Sequence, residues 1–188
     1  MPQIEIWRRL YKGRFFYQLY FQEEGVVEAE IEVNIRIALR KIYYSLSGDA
    51  QSLARWLARP EGGDILHSLE DPESFPPWIT DNDLDYFAAN FEAGGFRGPV
   101  NRYRNQVRDF EALSGMGVKS IIQPSCFVAG SKNVVRSFRS GLDIYADVLG
   151  NSTDLRVGEI INGIGHCVQQ EAPDAVNEAL LEFLGSLN

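Results

Sequence analysis

Two short apolar runs constrain this chain more than any other feature. Ser125 to Ala129 (SCFVA) stands behind Pro124 and ends at Gly130, and Gly158 to Ile161 runs into Asn162-Gly163-Ile164-Gly165-His166. Each has the length of a buried strand bounded by turn residues. Between them Phe138, Leu142, Tyr145 and Leu149 recur at helical spacing. After them Pro173 suits a first helical turn, and Val176, Leu180, Phe183 and Leu184 line one face of a last helix. The final third therefore predicts strand, helix, strand, helix. Two strands alone make too narrow a sheet, because buried strands need neighbours on both edges. Such a chain requires further strands from a partner or from a longer protein, and by itself is expected to be marginally stable or prone to aggregate.

The rest reads as helical. Val27 to Tyr44 carries two overlapping patterns. Ile31, Val33, Ile35 and Ile37 alternate as in a strand, while Val27, Ile31, Ile35, Ala38, Leu39 and Ile42 share a helical face. The length favours one helix, ended by Gly48. Gln51 to Ile79, with Pro60, Pro72, Pro76 and Pro77, reads as short turns and loop. Thr80 and Asp83 have the spacing of a capping box, followed by the stripe Leu84, Phe87 and Phe91 and a stop at Gly94-Gly95. A further helix is expected from Val100 to Leu113, after a turn at Gly98-Pro99. There are no internal repeats. The boundary of texture falls at Gly115-Met116-Gly117, which divides the chain into 1–114 and 115–188.

Composition excludes several classes of function. The 188 residues carry 18 Lys and Arg against 26 Asp and Glu, a formal charge of −8, with the bases scattered. Nucleic-acid binding needs a concentrated basic surface, so it is disfavoured. No apolar run approaches a membrane span, and the start lacks the apolar core of a signal peptide. The two cysteines, Cys126 and Cys167, do not form a disulfide scaffold, so a cytoplasmic location is the expectation. The stretch Met1 to Phe16 mixes bases (Arg8, Arg9, Lys12, Arg14) with aromatics (Trp7, Tyr11, Phe15, Phe16). It reads as an element severed from its neighbours or one that packs in a partner domain, with a membrane or single-strand nucleic-acid contact surface as the alternative.

Few residues offer chemistry. Of the two histidines, His67 lies in a polar, proline-rich stretch and reads as surface. His166 follows a strand in a glycine-rich loop, where α/β proteins place functional groups. Its neighbour Cys167 reads as a small packed thiol. No CxxC or HExxH pattern occurs, so metal sites look poor, and there is no GxSxG nucleophile elbow, P-loop or GxGxxG. Tyr17 and Tyr20 in YQLYFQ, and Tyr103 in NRYRN, are phenols that stay protonated at neutral pH and can donate to a developing oxyanion.

Three motifs in order, YQLYFQEEGVVEAEIE, GGFRGPVNRYRN and GIGHCVQQEAPDAVNEALLEFL, resemble the epoxide hydrolases of the α/β-hydrolase superfamily. The resemblance implies a partial α/β-hydrolase fold: a helical lid over 1–114, then the last two strands and helices of the sheet over 115–188. It also implies a mechanism. An aspartate on the nucleophile elbow attacks an epoxide carbon, two lid tyrosines donate to the ring oxygen, and a histidine activates water to release a diol. By this resemblance the tyrosines are Tyr17 and Tyr103 and the histidine is His166. The partners would be a small apolar epoxide, water as co-substrate, and an N-terminal half carrying the nucleophile, and the resemblance implies no metal or organic cofactor.

Two departures follow. The nucleophile elbow and the oxyanion segment of the family precede the lid, and no aspartate here matches them. The acid that orients the histidine is expected in Gly130-Ser131-Lys132-Asn133, and Asn133 stands in its place. An amide can hold the imidazole but brings no charge to an imidazolium; in the serine proteases that exchange costs about 10⁴ in rate. Three alternatives stay open: a non-catalytic remnant or docking module, a haloalkane dehalogenase-like hydrolase, and a helical interaction domain with an α/β tail.

Overall fold

A computed structural model describes residues 1–51, 56, 59–117, 120–139 and 141–187. The chain divides into two compact units. The first comprises Met1–Ser45, Ala54–Phe75 and Thr80–Gly117, and the second Leu46–Leu53, Pro76–Ile79 and Val118–Asn188.

The first unit is helical: α1 (Gln3–Leu10), α2 (Tyr17–Tyr20), α3 (Val26–Ile31), most of α4 (Ile35–Leu46), α5 (Asp81–Gly94), α6 (Arg97–Arg104) and α7 (Gln106–Leu113). Its start is packed rather than displayed. Trp7, Tyr11, Phe15 and Phe16 are buried, and Tyr11 stacks on Phe16 with ring centroids 4.1 Å apart. The Arg59 guanidinium lies 3.9 Å over the Phe15 ring. The aromatics of Met1–Phe16 thus build this unit's own core, while Arg8, Arg9, Lys12 and Arg14 stay at its surface.

The expected single helix over Val27–Tyr44 is two helices. Asn34 ends the run by accepting the Ile37 N–H at 3.1 Å on its side chain, which caps a new helix. Glu32, at the end of α3, turns its carboxylate to the Phe96 N–H at 2.8 Å. Val33 is left 84% exposed, which disposes of the alternating strand pattern. Ile35, Ala38 and Leu39 form the buried face of α4. The capping box of α5 forms as its spacing implies: Thr80 Oγ1 accepts from the Asp83 N–H at 3.2 Å, and Asp83 accepts from the Thr80 N–H at 2.8 Å. Arg36 of α4 pairs with Asp81 and Asp85 on α5 at 2.7 and 2.5 Å. The helix expected over Val100–Leu113 begins earlier, at Arg97, with Pro99 inside its first turn, and breaks at Asn105. Of the Gln51–Ile79 stretch, 52–55 and 57–58 lie outside the described residues. The remainder is turn and bend, with Pro60 bridging Arg14.

The second unit holds β1 (Ser125–Gly130) and β2 (Leu155–Ile161), a parallel pair running in register from Cys126↔Val157 to Gly130↔Ile161. A parallel pair needs a crossover, and α8 (Ile144–Gly150) lies within it. Phe138 and Leu142 fall outside that helix, so the helical spacing through them was over-read. The chain turns there through a short 3-10 segment, Val134–Ser137. β2 starts three residues before Gly158, and α9 (Val168–Glu171) precedes α10 (Pro173–Gly185), whose first residue is Pro173. Leu180 and Leu184 of α10 are 43% and 55% exposed, against the single buried face expected of them; Ala179 is buried instead. Among the described residues, no helix is long and apolar enough to cross a membrane.

Candidate active site

In the first unit, Tyr17 and Tyr103 come together although 86 positions separate them in sequence. Their ring centroids lie 5.6 Å apart at 79°, edge to face. Phe21 closes against both rings, at 5.4 and 5.1 Å, and Trp56 lies 6.0 Å from Tyr17. Burial within this aromatic cluster raises the Tyr17 pKa well above the usual phenol value, and the neighbouring Tyr103 adds to it. Tyr17 is therefore held as a protonated donor.

Its orientation comes from Gln18. The Gln18 side-chain oxygen accepts from Trp7 Nε1 at 3.0 Å and Gln106 Nε2 at 2.8 Å, which fixes the amide's direction. Gln18 Nε2 then donates to the Tyr17 hydroxyl at 2.8 Å. Tyr103 is fixed through its neighbour Arg104, which grips Glu28 with two bonds of 2.6 and 3.0 Å. Arg104 also donates to the carbonyls of Phe21 and Glu23 at 2.8 and 3.0 Å. Both side chains of this ion pair are about nine-tenths buried, at 10% and 11% exposure. The bonds from Arg104 hold the Glu28 carboxyl below the ordinary carboxylate range. Tyr20 is otherwise engaged: its hydroxyl donates to Glu30 at 2.8 Å, and the same carboxylate accepts the N–H groups of Ile65 and Leu66.

In the second unit, the chain leaving β1 brings Asn133 and the chain leaving β2 brings His166, both at the carboxyl ends of parallel strands. His166 Nδ1 lies 2.9 Å from Asn133 Oδ1. That oxygen also accepts the Val135 N–H at 3.1 Å. With Oδ1 fixed as an acceptor, Nδ1 carries the proton and Nε2 presents its lone pair. Packing of the ring against its loop lowers the His166 pKa, although one edge is exposed, while Glu171 pulls it upward. The ring is consequently neutral at pH 7 and fit to act as a base.

The loop is held by backbone packed against backbone. A Cβ at Gly165 would fall on Leu46 O, the Ser47 carbonyl carbon and Gly48 N, and one at Gly130 would fall on the carbonyls of Ile164 and Gly165. The His166 N–H donates to Leu46 O at 2.8 Å. Cys167 is buried, and burial with the nearby Glu171 pushes its thiol up to about 12, so it is no thiolate. His67 is exposed, with only its main-chain N–H engaged, on Asp64. Gln18, Arg104, Glu28 and Tyr145 were not singled out from the sequence. The one local signal was Gln18 itself, an amide set among aromatics in FYQLYF. Among the described residues, no group of three or more His, Cys, Asp or Glu side chains is placed to hold a metal ion.

No family model matches the chain. Epoxide hydrolase A of Mycobacterium tuberculosis is 35% identical across 100% of this chain, which covers 57% of that protein. Bifunctional epoxide hydrolase 2 of Mus musculus is 33% identical over 90% of the chain and 29% of its own length. Among solved structures, an epoxide hydrolase from an endophytic Streptomyces superposes with a TM-score of 0.90 at 32% identity, covering 100% of this chain and 56% of that one. Epoxide hydrolase A from Mycobacterium thermoresistibile gives 0.86 at 33% identity over 98% of this chain and 56% of its own. The chain spans little more than half the length of the bacterial relatives. With its helical lid and two-stranded parallel sheet forming a partial α/β-hydrolase fold, it belongs to the epoxide hydrolase family.

Proposed function

We propose that this chain supplies the lid and the histidine-bearing part of an enzyme that opens epoxides to vicinal diols. Tyr17 and Tyr103 donate hydrogen bonds to the epoxide oxygen as the ring opens. An aspartate from the remainder of the enzyme attacks carbon and forms an ester. His166 Nε2 then takes a proton from water. The resulting hydroxide adds to the ester carbonyl, the ester C–O bond breaks, and the leaving oxygen takes back the proton held by His166. The proton of the regenerated carboxyl passes to the oxygen that opened as an alkoxide, and the diol leaves. Asn133 holds the imidazole through Nδ1. The observation that carries this reading is the pair of phenols brought edge to face across 86 positions of sequence, with burial raising the Tyr17 pKa further above neutrality. Tyrosine donors also set the reading apart from haloalkane dehalogenation, where tryptophan or asparagine usually holds the halide.

In the complete enzyme, Tyr17→Phe and Tyr103→Phe are each expected to slow ester formation by about 10²–10³-fold. His166→Gln is expected to let the ester form and accumulate, visible by mass spectrometry as an adduct of one substrate mass. In the unaltered enzyme, ester hydrolysis should rise with pH through a midpoint below 6.5, because burial favours the neutral ring. Full activity in the double Phe variant would refute the role of the phenols. A non-catalytic docking module is the second reading, favoured by the uncharged Asn133. It predicts no diol from the complete enzyme, before or after Asn133→Asp.

A further inference from the structure

One carboxylate in the histidine loop has no part in the mechanism above. Glu171, at the end of α9, accepts three main-chain N–H groups. Oε2 takes those of Gly48 at 2.7 Å and Gly165 at 2.8 Å, and Oε1 takes that of Cys167 at 3.1 Å. Two of these donors flank His166 directly, and the third comes from a segment 123 residues away in sequence. Lys132, next to Asn133, completes the same web by donating its ammonium to Gly48 O at 2.7 Å and its N–H to Ile164 O at 2.8 Å.

We infer that Glu171 is a positioning residue for His166: it clamps the main chain on both sides of the histidine and places beside it the negative charge that Asn133 does not carry. The inference deepens the epoxide-opening reading and rests on it for the reaction alone. Three donors converging on one carboxylate fix its position, so its charge is fixed relative to the ring. An imidazolium formed as water is deprotonated gains from a fixed negative charge nearby. Consistently, Glu171 is the one group that opposes the effect of burial on His166. Among the described residues, the Lys132 ammonium and the neutral Tyr145 and Cys167, whose pKa values burial raises, also lie about the loop. Two further carboxylates are engaged elsewhere: Asp49 accepts from Trp78 Nε1 at 3.0 Å, and Asp143 pairs with Arg136 at 2.5 Å.

The test follows the histidine ring signals of the full-length enzyme by NMR, with His166 identified by its loss in His166→Gln. In Glu171→Gln, which keeps the side chain's size and removes its charge, the His166 midpoint is expected to fall by about one unit. The Gly165 and Cys167 amides should exchange at least about tenfold faster, in line with a lost bond to a charged acceptor. Adding Asn133→Asp in that background should raise the midpoint again. A folded Glu171→Gln protein with an unmoved midpoint, or with unchanged amide exchange, overturns the inference. If that variant does not fold, the unaltered protein decides. The Gly48, Gly165 and Cys167 amide protons should shift along the same titration as the Glu171 carboxyl carbon. A carboxyl that titrates without moving them overturns it equally. These readouts need no turnover: an inactive enzyme with the expected shifts refutes the epoxide reading and leaves the positioning role standing.

Discussion

The two units aim their candidate site residues by the same device and support it by opposite means. In each, a primary amide fixes the group: Gln18 for Tyr17 and Asn133 for His166. Gln18 is held by side chains from two other helices, Trp7 of α1 and Gln106 of α7, inside an aromatic core with the ion pair Arg104–Glu28 close by. Asn133 is held by its own loop, through the Val135 N–H, beside main chain at Gly130 and Gly165 packed too closely for a Cβ. The comparison teaches where each site is vulnerable. The tyrosine pair depends on distant side chains and their charges, and the histidine depends on backbone clearance.

The largest expected effect breaks the first arrangement. Arg104→Met leaves Glu28 nine-tenths buried with no cation, and loss of one partner of a buried pair costs about 3–5 kcal/mol. Urea unfolding of the full-length protein measures it, and a loss under about 1 kcal/mol would place the pair among surface ion pairs. The pH dependence has a definite sign. A carboxyl held below its ordinary value contributes stability that is present above the usual carboxylate range and is lost as pH falls through the folded value. The unaltered protein should therefore lose this contribution on acidification, and Arg104→Met should not show that loss.

The next effect breaks the second arrangement. Gly165→Ala drives a methyl group into the backbone of Leu46–Gly48, where no flexible side chain can yield. Overpacking of this kind costs about 1–3 kcal/mol. It should also disturb the hydrogen bond between His166 Nδ1 and Asn133, read from the ring's ¹⁵N shifts. The tyrosine pair should be unaffected. Unchanged stability in Gly165→Ala would mean that the loop has slack, and the contrast between the two units would fail.

What the sequence disclosed follows the range of each interaction. The Thr80–Asp83 capping box and the Pro173 start of α10 were legible because both lie within one helical turn. The break between α3 and α4 was hidden, since Glu32 ends α3 on Phe96, 64 residues away. The first residues of β2 were masked by Arg156, whose charge interrupts the apolar run. The same rule governs the site. His166 stands out by its place after a strand in a glycine-rich loop and the tyrosines as phenol donors. The resemblance selects Tyr17 and Tyr103 and adds Asn133, and the structure brings together the two tyrosines and, separately, His166 and Asn133. Gln18 and Glu171 were missed, because the partners that give them meaning lie up to 88 and 123 positions away. Helical spacing also misled at Phe138 and Leu142, where the chain turns through a 3-10 segment rather than continuing as helix.

The smallest effect sharpens the comparison. Tyr145 is buried, and its hydroxyl donates to Gly130 O at 3.4 Å. Tyr145→Phe keeps the ring and removes the hydroxyl, so the loss should be that of a neutral hydrogen bond, about 1 kcal/mol. The Asn133 amide should not turn over. The Val135 N–H still requires an acceptor on that side, and a flipped amide would set its NH₂ against it. His166 should therefore keep its proton on Nδ1, visible as a single tautomer in the ring's ¹⁵N spectrum. A mixture of tautomers would mean that the phenol, rather than the loop's own N–H, fixes Asn133. The histidine would then depend on a side chain brought from elsewhere, as Tyr17 depends on Trp7 and Gln106, and the two units would share their support as well as their device.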